Sequence, residues 1–313
     1  MFNREVKDKF LSMYINEDTR QTYKRIFNKS EYAEKRFGED LYSFSKDEIE
    51  EVLYDLSPLT PLASQTNGRI VTAYITWAMN NGYRKTINPL VAASPAWFDK
   101  FVDKTFKIYF SKSEIQDIEA YCENAQDKVL ISLFFEGLSG KEFKEIRHIK
   151  KNDIDYDKNI IYLTNNPINR KIFEIKNERT MSVLRQAADQ TKYYKKNGEM
   201  EEVDNVRNYT DLVKNEYLIR SSFTKTENMI SPVDKSVINR RVNTIAKLFP
   251  MPYLAPKNIS RSGMIYMGSQ LLKEYGTLGK EQYLEICERF NVNSWFSLKE
   301  FVNEETIRRL YNS

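Results

Sequence analysis

The chain predicts a mainly α fold with one small β-hairpin or sheet, an α+β architecture in two parts. Three observations carry that expectation. At 313 residues the chain is long enough for two domains, each with its own core. Apolar residues recur at helical spacing through the first hundred residues. Past Asp155 the period changes to two, in short runs from Ile160 to Thr164 and from Lys171 to Ile175, about Asn165, Asn166 and Pro167. The expected boundaries are 1–92 for a helical domain, 93–106 for a linker and 107–313 for the second domain.

The first domain reads as short helices with tight connections. Val6, Phe10 and Tyr14 share one face, and Tyr23, Ile26 and Phe27 another. Ser45 and Glu48 form a capping box, opening a helix that turns Ile49, Val52, Leu53 and Leu56 to one side. Pro58 and Pro61 end it. Ile70, Ala73, Tyr74, Trp77 and Ala78 make the clearest stripe, stopped by Asn81-Gly82. Helices of this length joined this closely make a bundle.

In the second domain Ser111 and Glu114 form another capping box, and the apolar run Val129 to Phe135 should be the centre of the core. A helix is expected from Glu178 to Tyr194, then a polar surface loop from Lys195 to Asn208. A helix over 232–248 turns Ile238, Val242 and Ile245 inward and leaves Arg240 and Arg241 on other faces. The last helix is expected to run from Ser297, capped through Glu300, to Leu310.

Composition narrows the chemistry. Apolar residues at 41%, charged at 29% and aromatic at 13% are those of a globular protein rather than a disordered one. The net charge of +4 permits a nucleic-acid partner without requiring one. His148 is the only histidine, so chemistry that needs two imidazoles is excluded. Beside Arg147, Lys150 and Lys151 it is expected to face solvent or DNA. Cys122 and Cys287 have no metal-ligand spacing and read as buried thiols. No metal and no cofactor is expected. With no leader and no apolar run approaching about 18 residues, the expectation is a cytoplasmic protein without a membrane partner.

Several strings occur in a telling order. Thr19-Arg20-Gln21-Thr22-Tyr23 precedes Trp77-Ala78, Gly82 and Asn88-Pro89. Ser139-Gly140-Lys141-Glu142-Phe143-Lys144-Glu145 follows, then Asp153-Ile154-Asp155. Pro256-Lys257-Asn258-Ile259-Ser260-Arg261-Ser262-Gly263 comes last. Together they resemble the tyrosine recombinases, or phage integrases. That family reads Thr-x-x-Thr-Tyr early, Thr-Gly-Leu-Arg-Ile-Ser-Glu in the second string and His-x-Leu-Arg-His-Thr in the third. The resemblance covers roughly residues 4–311. It implies a helical core-binding domain followed by a tyrosine-recombinase catalytic-type domain. Within the family the chain is similar to a degenerate group, the recombinase-fold master repressors of SPβ-type Bacillus phages.

Residue by residue, the resemblance implies lost catalysis. Glu142 stands where the first catalytic arginine would clamp the scissile phosphate, and a carboxylate repels phosphate and donates nothing. Asn258 and Ser262 replace the two histidines, while Arg261 keeps the second arginine. Phe301 stands in the slot of the tyrosine nucleophile and has no oxygen with which to attack. The hairpin lysine that acts as general acid is matched by Asn165, Asn166 and Pro167, with Arg170 and Lys171 beyond.

The expected protein is therefore not an enzyme. It is a sequence-specific double-stranded DNA-binding protein, a phage repressor that maintains lysogeny in the bacterial nucleoid. The alternative is an active, divergent recombinase that uses Tyr311; a third reading is a protein-only interaction module. Helices starting near Thr19 and Ser64 would bring Arg20, Lys24, Thr66, Asn67 and Arg69 to base edges. Lys151, Arg240, Arg241, Lys257 and Arg261 would hold the phosphate backbone. The expected partner is a duplex operator; self-association and a protein or peptide effector stay open.

Overall fold

The computed structural model describes residues 1–163, 172–199, 207–223, 229–249 and 251–311. Asn165, Asn166, Pro167, Arg170 and Lys171 lie outside the described residues. The chain divides into two compact units, Met1–Phe106 and Lys107–Ser313.

The first unit holds α1 (Arg4–Leu11), α2 (Glu17–Phe37), α3 (Lys46–Asp55), α4 (Pro61–Asn80) and α5 (Pro95–Asp99). Asn16 caps α2 by accepting from the Thr19 amide, and Thr60 caps α4 by accepting from Ala63. Both helices thus begin before the expected Thr19 and Ser64. Pro61, read as a stop, is instead the first residue of α4, where a missing amide costs nothing. The capping box of Ser45 and Glu48 is formed. Phe10, Ile26, Phe27, Ile49, Val71 and Tyr74 meet in one core. Lys7 is buried in that core with its ammonium against Glu34 and, at 3.3 Å, Asp40, which also accepts from the Tyr74 hydroxyl at 2.9 Å. Burial pushes the Glu34 carboxyl up, and only such complete hydrogen bonding offsets the desolvation of buried charges.

The segment expected as a linker is folded onto this unit. Ser94 caps α5, and Phe98 and Phe101 are buried in the core. A β-carbon on Gly68 would lie 2.0 Å from the Phe98 ring, so glycine is what lets α5 approach α4.

The second unit holds α6 (Lys112–Tyr121), α7 (Ala125–Glu136), α8 (Lys144–Arg147), β1 (Ile154–Asp155), β2 (Ile160–Tyr162), β3 (Ile172–Glu174), α9 (Glu178–Asp189), β4 (Lys192–Tyr194), β5 (Tyr209–Asp211), α10 (Lys235–Leu248), α11 (Pro256–Tyr275), α12 (Lys280–Phe290) and α13 (Glu304–Tyr311). β1, β2 and β3 form an antiparallel sheet in that order, with Ile161 opposite both Ile154 and Phe173. α7 is apolar around most of its circumference and sits at the centre, as the run Val129 to Phe135 predicts. α11 crosses it closely: a β-carbon on Gly263 would lie 2.0 Å from the Phe135 carbonyl oxygen. Cys122 and Cys287 are free and buried.

Three expectations need correction. The helix from Glu178 stops at Asp189, because Gln190 leaves the helical region and spends its side chain on the Gln126 amide, Asn124 and the Lys192 carbonyl. Lys192–Tyr194 then pairs with Tyr209–Asp211 in a second sheet that the helical reading concealed. The last helix starts at Glu304, where Asn303 accepts from the Thr306 amide; Phe301 and Val302 ahead of it are buried in an irregular turn. In α10, Ile238, Val242 and Ile245 do point inward, but Arg241 joins them.

Candidate nucleic-acid interface

Glu142 and Phe143 both take left-handed backbone angles, φ 57° and 60°, in the bend that leads into α8. Below the bend, Glu145 is buried and accepts from the Ser139 amide at 2.9 Å. Glu142 is thereby turned outward, and its carboxylate accepts from Lys235 Nζ at 2.7 Å, at the start of α10. That hydrogen bond, then the charge of Lys235, holds the Glu142 carboxyl below its usual range. The slot is therefore filled by an ion pair internal to the unit. His148 is half-buried, with Nδ1 3.0 Å from the Lys144 carbonyl one turn back.

The start of α11 is arranged differently. Ala255 provides no side-chain cap, and the first turn carries Lys257 and Asn258, with Arg261 one turn on. Asn258 donates to the Tyr253 carbonyl at 2.9 Å. Arg261 stacks over the Phe301 ring at 4.7 Å, and Phe301 is itself buried beside Tyr109. The Arg261 guanidinium, then burial, holds the Lys257 ammonium below its ordinary value; Glu300 opposes both. Two cations that raise each other's energy, at the amide-rich end of a 20-residue helix, favour an anion between them. Ser262 is not part of that surface: it is buried, donates to Asn258 and accepts from the Phe110 amide at 2.9 Å.

The other expected backbone contacts divide. Arg240 is exposed. Arg241 is buried, donates to the Arg220 carbonyl at 2.6 Å and to Gln126, and faces Asp127 at 3.6 Å. It cannot reach a duplex, because it is spent inside the core. Lys151 is half-buried and lies near Arg220; burial, then that charge, holds its ammonium low.

In the first unit the expected base readers do not form one group. Arg69 is exposed, whereas Asn67 is 3% exposed. Two residues apart on a helix they lie about 200° around the axis, on opposite sides. Asn67 accepts from Arg25 at 2.6 Å and is not free to read a base. Thr66 hydrogen-bonds the Leu62 carbonyl at 2.7 Å, and Arg20 pairs with Glu17 at 2.6 Å. Lys24 lines a shallow depression on α2 with Gln21, Arg25, Asn28 and Lys29.

Tyr311 packs its ring on Tyr266 at 5.8 Å, and its hydroxyl points toward the Lys112 amide without reaching hydrogen-bond geometry. Burial pushes that phenol above its ordinary value. Tyr266 and Arg261 are five residues apart on α11, about 140° around its axis. The ring on which Tyr311 rests is thus on another face from the retained arginine.

Residues 109–312 match the model of the MrpR C-terminal catalytic domain, and residues 1–80 that of the MrpR N-terminal core-binding domain. The chain belongs to the MrpR family. Its relatives include a protein of Bacillus subtilis (strain 168) described as SPbeta prophage-derived uncharacterized protein YopR. The two are 26% identical over 322 residues, covering 99% of this chain and 97% of that one. Among solved structures, a lambda integrase dimer bound to a COC′ core site aligns with TM-score 0.53 at 11% identity, covering 97% of this chain and 77% of that one. The Tn1549 transposon integrase in complex with transposon right end DNA aligns with TM-score 0.51 at 12% identity, covering 97% and 96%. The chain thus has the tyrosine recombinase fold.

Three residues of this MrpR-family chain matter to the candidate contacts and were missed by the sequence reading. Lys235 clamps Glu142 from 93 residues away, and no local pattern announces such a pairing. Arg25 and Lys29 were legible: with Gln21, Lys24 and Asn28 they follow the i, i+3, i+4, i+7, i+8 spacing of one helix face. No helix among the described residues is long and apolar enough to cross a membrane.

Proposed function

We propose that this protein is a sequence-specific double-stranded DNA-binding repressor of a phage, built on a recombinase scaffold that no longer cleaves. The observation that carries the reading is the contrast of two phosphate slots. Glu142 occupies one and is tied to Lys235 at 2.7 Å, whereas Lys257 and Arg261 stand together at the start of α11 in the other. The second arrangement can hold a backbone phosphate; the first can neither clamp a scissile phosphate nor stabilise its transition state. Neighbours of the same fold are bound to core-site or transposon-end DNA, which supports a duplex as the partner here.

On this reading Lys257, Arg261 and Arg240 touch phosphates, and α2 of the first unit faces the bases. Occupying an operator then needs only grip and register, which phosphate and base contacts supply without chemistry. The rival is a divergent recombinase acting through Tyr311. One experiment separates them: the full chain is mixed with a nicked suicide duplex carrying its footprinted site, over a salt series. The repressor reading expects tight, sequence-dependent binding that weakens steeply with salt, with no covalent adduct. An adduct on Tyr311 overturns the loss of cleavage; binding that ignores both salt and sequence overturns the DNA partner.

A further inference from the structure

One polar face of α2 carries several cations without a carboxylate partner among the described residues. Lys9, Arg20, Lys35 and Arg36 each have a carboxylate partner, from Glu5, Glu17, Glu31 and Glu51. Lys24, Arg25 and Lys29 have none within ion-pair distance among the described residues. Gln21 and Asn28 complete the same face, so it offers cations and amides and no apolar anchor. Such a surface suits a polyanion with hydrogen-bonding edges.

Arg25 is the member with a fixed geometry. It is exposed, yet one terminal nitrogen donates to Asn67 Oδ1 at 2.6 Å, and Asn67 is 3% exposed, within the bundle. A guanidinium is a planar fork with five N–H donors and no acceptor. With one donor anchored, the guanidinium has less freedom, and the exposed residue keeps four further N–H donors. Guanine presents two adjacent acceptors in the major groove, N7 and O6, which match that fork; adenine puts a donating amino group in place of O6.

We propose that Arg25 reads a guanine in the operator and that Asn67 is its positioning residue. This inference rests on the duplex-binding reading of the protein. Lys24 and Lys29 would flank the read base pair and contact phosphate, giving affinity without preference.

The test uses the full chain and its footprinted site, with each guanine in turn replaced by 7-deazaguanine. That change removes N7 and leaves base pairing intact. Wild-type protein is expected to lose about tenfold in affinity at one guanine. Arg25→Ala and Arg25→Met should be blind to that replacement, since neither can donate a hydrogen bond to N7. Asn67→Ala should lower the ratio of specific to random affinity about tenfold, and Asn67→Asp, which still accepts from Arg25, should restore it. A guanine sensitivity that survives in Arg25→Ala, or an unchanged ratio in Asn67→Ala, overturns the inference while leaving DNA binding intact. Should Asn67→Ala fail to fold, the exposed Arg25 variants still decide the matter. Failure of the wild-type protein to bind any duplex overturns the functional reading instead, and this inference with it.

Discussion

The bend at Glu142 and the first turns of α11 both carry charged side chains, and they hold them in opposite ways. At the bend, a left-handed backbone turns a carboxylate outward to Lys235, and the charge is neutralised from within. At α11, Lys257 and Arg261 remain side by side, and the lysine's ammonium is held low mainly by its neighbour. A self-neutralised site has little to gain from a phosphate; one where two like charges are only partly offset, here by Glu300, gains more on meeting it. On the proposed reading, grip and cleavage are separable within the recombinase fold, since the first slot is neutralised while the second keeps both its cations.

The largest expected effect tests the helix on which the bend depends. α10 supplies Lys235 at its start and is anchored by Arg241 against Asp127 and the Arg220 carbonyl. Arg241→Ala strands a buried carboxylate, which typically costs about 3–5 kcal/mol. Its neighbour Arg240 is exposed, and Arg240→Ala should shift stability by no more than about 0.5 kcal/mol. Urea unfolding of the two variants should differ accordingly; equal midpoints would remove Arg241 from the core.

Next comes the grip. Arg261→Ala removes one phosphate contact on the proposed reading, so affinity for specific and random duplexes should fall together. The slope of log affinity against log salt should shrink by about 1. If specific binding alone suffers, Arg261 reads sequence and the comparison is drawn in the wrong place.

What was legible in the chain follows from what is local. Capping boxes at Ser45 and Ser111 and the apolar run of α7 depend on residues a few positions apart, and they are read from a string. Arg241 defeated the same logic, because adjacent arginines on one helix look alike until their partners from α7 are in place. Asn67 failed for a related reason: its neighbour Arg69 suggested a groove-facing patch, but the helix turns the two to opposite sides. Lys192–Tyr194 was folded into a helix on paper, since three residues carry too little periodicity to announce a strand.

A smaller effect probes the bend from the opposite side. Glu142→Arg should restore a phosphate-facing donor and, with Lys235 released, raise duplex affinity several-fold at low salt, with a steeper salt slope by about 1. The ion pair also has a pH signature. A carboxyl held below its unfolded value contributes stability that is fully present above the unfolded value and lost as pH falls through the folded one. Glu142→Gln should therefore melt below wild type at neutral pH, with the gap closing on acidification. A gap that persists in acid would mean Lys235 does not hold the carboxylate.

The smallest expected effect is at Tyr311, and its smallness is the point. A nucleophile needs its oxygen near the phosphate clamp and able to lose a proton. The Tyr311 hydroxyl is buried without a hydrogen-bond partner among the described residues, its phenol is pushed up by that burial, and its ring rests on Tyr266 rather than on the Arg261 face of α11. Tyr311→Phe deletes an unsatisfied hydroxyl and keeps the ring, so stability should hold or rise by about 1 kcal/mol. Duplex affinity should stay within about twofold, and neither protein should form an adduct on a nicked duplex. Were wild type alone to form one, α13 would have to swing its tyrosine out of this packing, and the separation of grip from cleavage would be lost.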